Sequence, residues 1–310
     1  MRRVKVSEFG SRESLTVTTD PAPEPAPHEA LVRIHAAGVN PYDWMTRAGN
    51  GANVDLPWVP GWDFSGVITA VGNDVTGFHV DDAVFGMLAD ERGTYTEYAA
   101  IPGSNLVRKP RTVSHMVAAG APMAALTAWQ ALFDAGRLHP TQRVLIHAAA
   151  GGVGHLAVQL ADWIGAYTIG TASASNEAYL DDIGLDEFIN YRDARFEDIV
   201  SPVDLVIDAV GGDIFERSIE VLRTDGHISK LPGPLTTDES DLLARSGVCG
   251  SYPVVQWRPE QLRTIARFLE EDELDVRIDS VHPLDSVEAA HRRSESGHAR
   301  GKIILDVLVE

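Results

Sequence analysis

The sequence holds one cysteine, Cys249, which excludes an intramolecular disulfide and makes a reducing cytoplasm the expected setting. It has no run of Lys or Arg, and its formal net charge is −19, so neither nucleic acid nor an anionic membrane is the expected partner. The two arginines of MRRVKVSEFG are followed by no apolar stretch, so no secretory signal is read there. The longest Ala-rich apolar segment, 117–133, contains Pro122 and Gln130 and is too short to span a bilayer. None of the eleven histidines falls in an HExxH or comparable spacing, and there is no cysteine-rich lobe. A zinc site needs such donors, so no metal is expected. No Cys–His or Ser–His pair stands out, which leaves covalent catalysis without a residue set.

What is present is an ordinary soluble composition, 44% hydrophobic and 23% charged over 310 residues, enough for two domains each with its own core. The most informative stretch is 143–172, RVLIHAAAGGVGHLAVQLADWIGAYTIGTA. It reads as buried strand, glycine turn, helix and second buried strand, the order a dinucleotide site requires. Val144, Leu145 and Ile146 suit a parallel strand covered on both faces. Ala150, Gly151, Gly152, Val153 and Gly154 form the turn, whose glycines let the backbone approach a pyrophosphate at a helix N-terminus. Ala149 stands where the usual first glycine would be.

The second strand ends without Asp or Glu. Ser173 lies 19 positions after Gly154, and Asn176 follows it. A carboxylate there would hold a ribose 2′-hydroxyl, whereas a hydroxyl and an amide tolerate a 2′-phosphate, so NADP(H) is the expected cofactor. The same serines also suit a helix cap, and both roles are compatible.

Before residue 120 the expected strands are 3–9, Leu15–Thr19, 30–39, 64–71, 82–87 and 95–101, a barrel-like antiparallel region. After a helix at 124–135, strands and helices alternate, which means a doubly wound parallel sheet. A helix at 259–271 leads into a final strand, helix and strand that return to the first domain. Asn40-Pro41-Tyr42-Asp43 is a helix start, with Asn capping and Pro in the first turn. The turn Asp208-Ala209-Val210-Gly211-Gly212 closes a strand at the carboxyl edge of the sheet, where such folds bind ligands.

These segments together resemble the zinc-independent quinone oxidoreductase branch of the medium-chain dehydrogenase/reductase superfamily. The match runs through AAGVNPYDW at 36–44, VPGWDFSGVITAVG at 59–72, GTYTEYAAIP at 93–102, AALTAWQAL at 124–132, AAAGGVGHLAVQLA at 148–161, DAVGG at 208–212 and GHARGKIIL at 297–305. The resemblance implies an α/β protein with a GroES-like β-rich catalytic domain, 1–120 and 272–310, and a Rossmann domain, 121–271. It implies NADPH in a cleft and a homodimer joined through the Rossmann sheets. It places Gly151 to Gly154 on the pyrophosphate and Ser173 and Tyr191 near the adenosine phosphate. Ala209, Val210, Gly211 and Lys302 fall among its cofactor contacts, and Asn40 and Thr127 near the nicotinamide.

Zinc-dependent relatives carry Cys at the position of Asn40 and His-Glu at Trp62-Asp63. Met45 stands where many quinone reductases have Tyr and some enone reductases Lys, so Tyr42, on the same helix, is the remaining phenol. Tyr42 also suits a packing role, and the Thr127 hydroxyl suits a bond back within its helix. Trp44, Trp62 and Trp257 are the aromatic residues available for an acceptor pocket. The expected activity is hydride transfer from NADPH to a quinone. An enone or alkenal C=C reductase and a non-catalytic NADPH-binding redox sensor are the other two readings.

Overall fold

The computed structural model describes residues 1–88 and 92–308. Its strands are β1 (Arg2–Val6), β2 (Leu15–Thr19), β3 (Glu29–Val39), β4 (Asp63–Val71), β5 (Ala83–Met87), β6 (Tyr98–Pro102), β7 (Val107–Arg108), β8 (Arg143–His147), β9 (Tyr167–Ala172), β10 (Glu187–Asn190), β11 (Val203–Asp208), β12 (Leu222–Lys230), β13 (Cys249–Ser251), β14 (Ile278–Pro283) and β15 (Lys302–Asp306). The helices are α1 (Pro41–Arg47), α2 (His115–Gly120), α3 (Pro122–Trp129), α4 (Gly154–Trp163), α5 (Glu177–Asp182), α6 (Asp213–Glu220), α7 (Thr237–Ser246), α8 (Pro259–Glu270) and α9 (Val287–Glu295). The chain forms two compact units, Met1–Met123 with Gln256–Glu310, and Ala124–Val255.

In the first unit seven strands form one sheet in the order β14-β15-β3-β4-β5-β7, with β6 also on β3, and β1 and β2 pair separately. Every pair in it is antiparallel except β14 with β15. Inward residues such as Val4, Ile34, Phe64, Ile68 and Leu305 are fully buried in one core. Removing a side chain of that size from water contributes about 1.5–3 kcal/mol. The last strand, β15, is not peripheral: it pairs with β3 from Ile303 opposite Val39 to Asp306 opposite Ala36.

The second unit has six parallel strands in the order β10-β9-β8-β11-β12-β13. The order reverses at β8, which has β9 on one side and β11 on the other, and the glycine turn leaves the carboxyl end of β8 at that point. Its core joins Leu145, Ile169, Val206, Phe215 and Ile228.

Two boundaries differ from expectation. The helix α8 belongs with the first unit, where the N–H of Arg111 donates to Glu270 at 2.8 Å and the Trp257 indole donates to the Ser104 carbonyl at 2.9 Å. The single helix expected at 124–135 is α3 followed by a π-helical turn, Gln130–Ala135. There the Ala131 carbonyl accepts both the Gly136 N–H at 3.1 Å and the Ser229 hydroxyl at 3.0 Å, which widens the turn.

Candidate active site

In the second unit, the turn between β8 and α4 is a cradle of backbone donors. Ala148 takes φ +51°, so the chain reverses in the left-handed region without glycine. The Gly151 N–H closes onto the Ala148 carbonyl at 2.8 Å, and the Gly151 carbonyl accepts the His155 ring Nδ1 at 2.7 Å. A carbonyl can only accept, so His155 carries its proton on Nδ1. The N–H groups of Gly152, Val153 and Gly154 meet no acceptor among the described residues. Three successive unpaired N–H groups at a helix start suit an oxyanion such as a pyrophosphate. Gly154 has a second constraint: a Cβ there would lie 2.3 Å from the Ala148 carbonyl oxygen, so the close crossing of turn and helix demands glycine.

Beyond β9, the Asn176 amide donates to the Ser173 hydroxyl at 2.9 Å, and Ser173 faces the Ser175 hydroxyl at 3.3 Å. The Tyr191 N–H donates to the Ala172 carbonyl at 3.3 Å, which sets Tyr191 and Arg192 beside Ser173. Tyr191 is half exposed, with the Arg192 guanidinium 5.7 Å from its ring centre. A groove of about 460 Å³ runs along Tyr191, Arg192, Arg195, Asp213 and Arg217. At the end of β11, Asp208 Oδ1 accepts the N–H groups of Val210 at 2.9 Å and Gly211 at 2.8 Å, tying off the turn that exposes Val210. Burial raises the Asp208 pKa, and its Oδ2 is buried without a partner among the described residues. Thr127 is half-buried on α3.

The first unit holds a buried polar cluster around Asn40. Asp43 closes the return half of a capping box, its Oδ2 accepting the Asn40 N–H at 2.7 Å and the Tyr95 hydroxyl at 2.8 Å. The Asn40 side chain bonds to Asp63 and Lys302: Nδ2 donates to Asp63 Oδ2 at 2.9 Å, and Oδ1 accepts from Lys302 Nζ. The Lys302 ammonium is 3.7 Å from Asp63 Oδ2, and both side chains are almost wholly buried. Burial lowers the Lys302 pKa and raises that of Asp63, while the Asp43 carboxyl is pushed up to about 7, again chiefly by burial. One ion pair and one carboxyl that holds its proton near neutrality keep the cluster close to uncharged.

The three expected tryptophans are not brought together. Trp62 lies 5.5 Å from the Tyr42 ring and 6.5 Å from Trp58, whereas the Trp44 indole donates to Ser294 at 3.1 Å on α9 and Trp257 is held at Ser104. Tyr42 is thus the exposed member of this pair, at 36%, while Trp62 is buried behind it. Asp63 and Tyr95 were not singled out from the sequence as site residues. The available signal was an acidic residue opening the mostly apolar strand β4.

Residues 26–111 match the family model described as alcohol dehydrogenase GroES-like domain, and 183–305 that described as zinc-binding dehydrogenase. The chain is 35% identical to the solved quinone oxidoreductase from Coxiella burnetii, covering 99% of both chains with a TM-score of 0.94. This chain belongs to the quinone oxidoreductase branch of the medium-chain dehydrogenase/reductase superfamily. It is also 30% identical to the 2-methylene-furan-3-one reductase of Solanum lycopersicum, over 98% of this chain and 79% of that protein. The Escherichia coli quinone oxidoreductase solved in complex with NADPH is 26% identical, with a TM-score of 0.92 and 99% and 100% of the two chains covered. The chain is thus an oxidoreductase of this superfamily. Among the described residues no group of three or more His, Cys, Asp or Glu is placed to hold a metal. No helix among the described residues is long and apolar enough to cross a membrane.

Proposed function

We propose that this chain is an NADPH:quinone oxidoreductase that works without zinc. The observation that carries the reading is the turn 148–154, with three unpaired N–H groups at the start of α4 and no carboxylate at the end of β9. The second unit binds the nucleotide: Ala150 to Gly154 meet the pyrophosphate, Ser173, Asn176 and Tyr191 the adenosine phosphate, and Ala209, Val210 and Gly211 line the carboxyl edge beside it. When bound, the dihydronicotinamide supplies the hydride. The first unit supplies Asn40, whose amide N–H polarises the carbonyl oxygen of the acceptor as that oxygen gains charge. Tyr42, whose ring is inclined to that of the buried Trp62, offers an aromatic face to a quinone ring. Thr127 contributes its hydroxyl at the nicotinamide end. The partner in assembly is a second copy joined along β13, the edge strand of the parallel sheet, and light scattering that gives a monomer would remove this part. The setting is the cytoplasm.

The test is a titration with NADPH and NADH followed by nicotinamide fluorescence, then addition of 1,4-benzoquinone or a simple enone. Selective NADPH binding with quinone-dependent oxidation supports the reading. The tomato relative favours a second one, reduction of an enone C=C bond, for which oxidation occurs with the enone alone. Binding without turnover on either acceptor points to an NADPH sensor.

A further inference from the structure

Strand register brings three residues far apart in sequence to one point. Asn40 follows the end of β3, Asp63 opens β4 opposite Gly38, and Lys302 opens β15 one residue before Ile303, the partner of Val39. Gly38 makes room for this, since a Cβ there would lie 3.0 Å from the Asp63 side chain and 2.5 Å from the Ala119 carbonyl. Gly301, at φ +82°, turns the chain so that the Lys302 N–H reaches the Arg277 carbonyl at 2.8 Å.

We propose that Lys302 is a positioning residue, whose ammonium holds the Asn40 amide in one orientation so that Asn40 faces the reacting molecule only as a hydrogen-bond donor. An ammonium has three donors and no acceptor, and an ionised carboxylate only accepts. With Lys302 on one side and Asp63 on the other, the Asn40 oxygen must face Lys302 and the nitrogen Asp63. The flipped amide would aim NH₂ at the ammonium and oxygen at the carboxylate. The Asn40 oxygen is therefore engaged, one amide hydrogen goes to Asp63, and the other remains. A carbonyl oxygen, which can only accept, is the chemistry that such a group recognises. Lys302 itself is 3% exposed and directed at Asn40, so it acts through Asn40 rather than on a cofactor phosphate.

This inference rests on the proposed reductase reading for its kinetic consequence and on geometry alone for the amide orientation, so the experiment reads both. Lys302→Met and Lys302→Arg are made in the wild-type and Asn40→Ala backgrounds. We expect Lys302→Met to lower kcat with 1,4-benzoquinone by about ten- to hundred-fold, as misplacement of a polar group does. The NADPH dissociation constant should move less than about threefold, and Lys302→Arg should restore most of the rate, since it keeps a donor. In the Asn40→Ala background Lys302→Met should change kcat less than about twofold. The ¹⁵N-detected side-chain amide pair of Asn40, assigned by its loss in Asn40→Ala, should be sharp in the wild type and shifted and broadened in Lys302→Met. Equal losses in both backgrounds, or a dissociation constant that rises in step with the loss of kcat, would overturn the proposal. If the wild type oxidises no NADPH with any quinone, the reductase reading falls, and the amide pair still decides: unchanged in Lys302→Met, it overturns the positioning role. Should Lys302→Met fail to fold because Asp63 is left unpaired, the charge-neutral double variant Lys302→Met with Asp63→Asn is compared with Asp63→Asn alone, so that only the effect of Lys302 is read, and no difference between them in kcat or in the amide pair overturns the proposal.

Discussion

Asp63 Oδ1 accepts the backbone N–H of Met123 at 2.8 Å, while its other oxygen holds the Asn40 amide at 2.9 Å. One buried carboxylate thus ties the start of α3 to the residue proposed to act on the acceptor.

Asp63→Asn is therefore expected to destabilise the protein strongly. It leaves the buried Lys302 ammonium without a countercharge and gives the Met123 N–H a weaker acceptor. Breaking one partner of a buried pair typically costs about 3–5 kcal/mol. Chemical denaturation of the variant and the wild type, compared at one pH, measures it, and a loss below 1 kcal/mol would contradict the pairing described.

Stability should fall on the acid side because of buried neutral imidazoles. His147 donates and accepts between Thr171 and Ser218, both at 2.9 Å, and burial lowers its pKa to about 3, as burial does for His291. The unfolded chain takes up these protons near pH 6.5 while the native state refuses them down to about 3. Their contribution is complete above pH 6.5 and is lost progressively as pH falls towards 3. His147→Gln should flatten the slope of unfolding free energy against pH over that window; an unchanged slope would remove His147 as its source.

Asp43 works in the opposite direction. Its carboxyl is raised to about 7, so between about pH 4 and 7 the native state holds a proton that the unfolded chain has released. Stability contributed by this group drops as pH rises through that range. Asp43→Asn, which cannot ionise, should gain on the wild type between pH 4 and 7. Parallel stability curves for the two proteins would show that Asp43 does not titrate there.

Two glycines of one turn should separate folding from binding. Gly154→Ala puts a methyl 2.3 Å from the Ala148 carbonyl oxygen and should lower stability by about 1–3 kcal/mol, seen as a lower Tm. In Gly151→Ala the nearest atom is 3.1 Å away, so the fold should survive and any loss should show in NADPH affinity. A Gly154→Ala protein with the wild-type Tm would contradict the close crossing.

Much of the scaffold was legible in the sequence. Leu15–Thr19 is a strand at the bounds its β-branched residues suggested, and the glycine turn sits at the carboxyl end of β8. Such features are local, set by side-chain alternation and by backbone freedom. The cluster of Asn40, Asp43, Asp63, Tyr95 and Lys302 was not legible as a unit, because only the antiparallel pairing of β15, β3 and β4 makes neighbours of residues 40 and 302. The π-helical turn was likewise hidden, since the hydroxyl on the Ala131 carbonyl belongs to Ser229, 98 positions away. The short β7 and α2 lack a periodicity long enough to read.

The placement of β15 against β3 also has a consequence for synthesis. The first unit cannot close its sheet until residues 302–306 have emerged from the ribosome, whereas residues 124–255 emerge complete well before that. A nascent chain therefore finishes its second unit first and holds its amino-terminal part, with the edge of β3 at residues 36–39 unpaired and Asn40 lacking its ammonium, in an open state until β15 arrives.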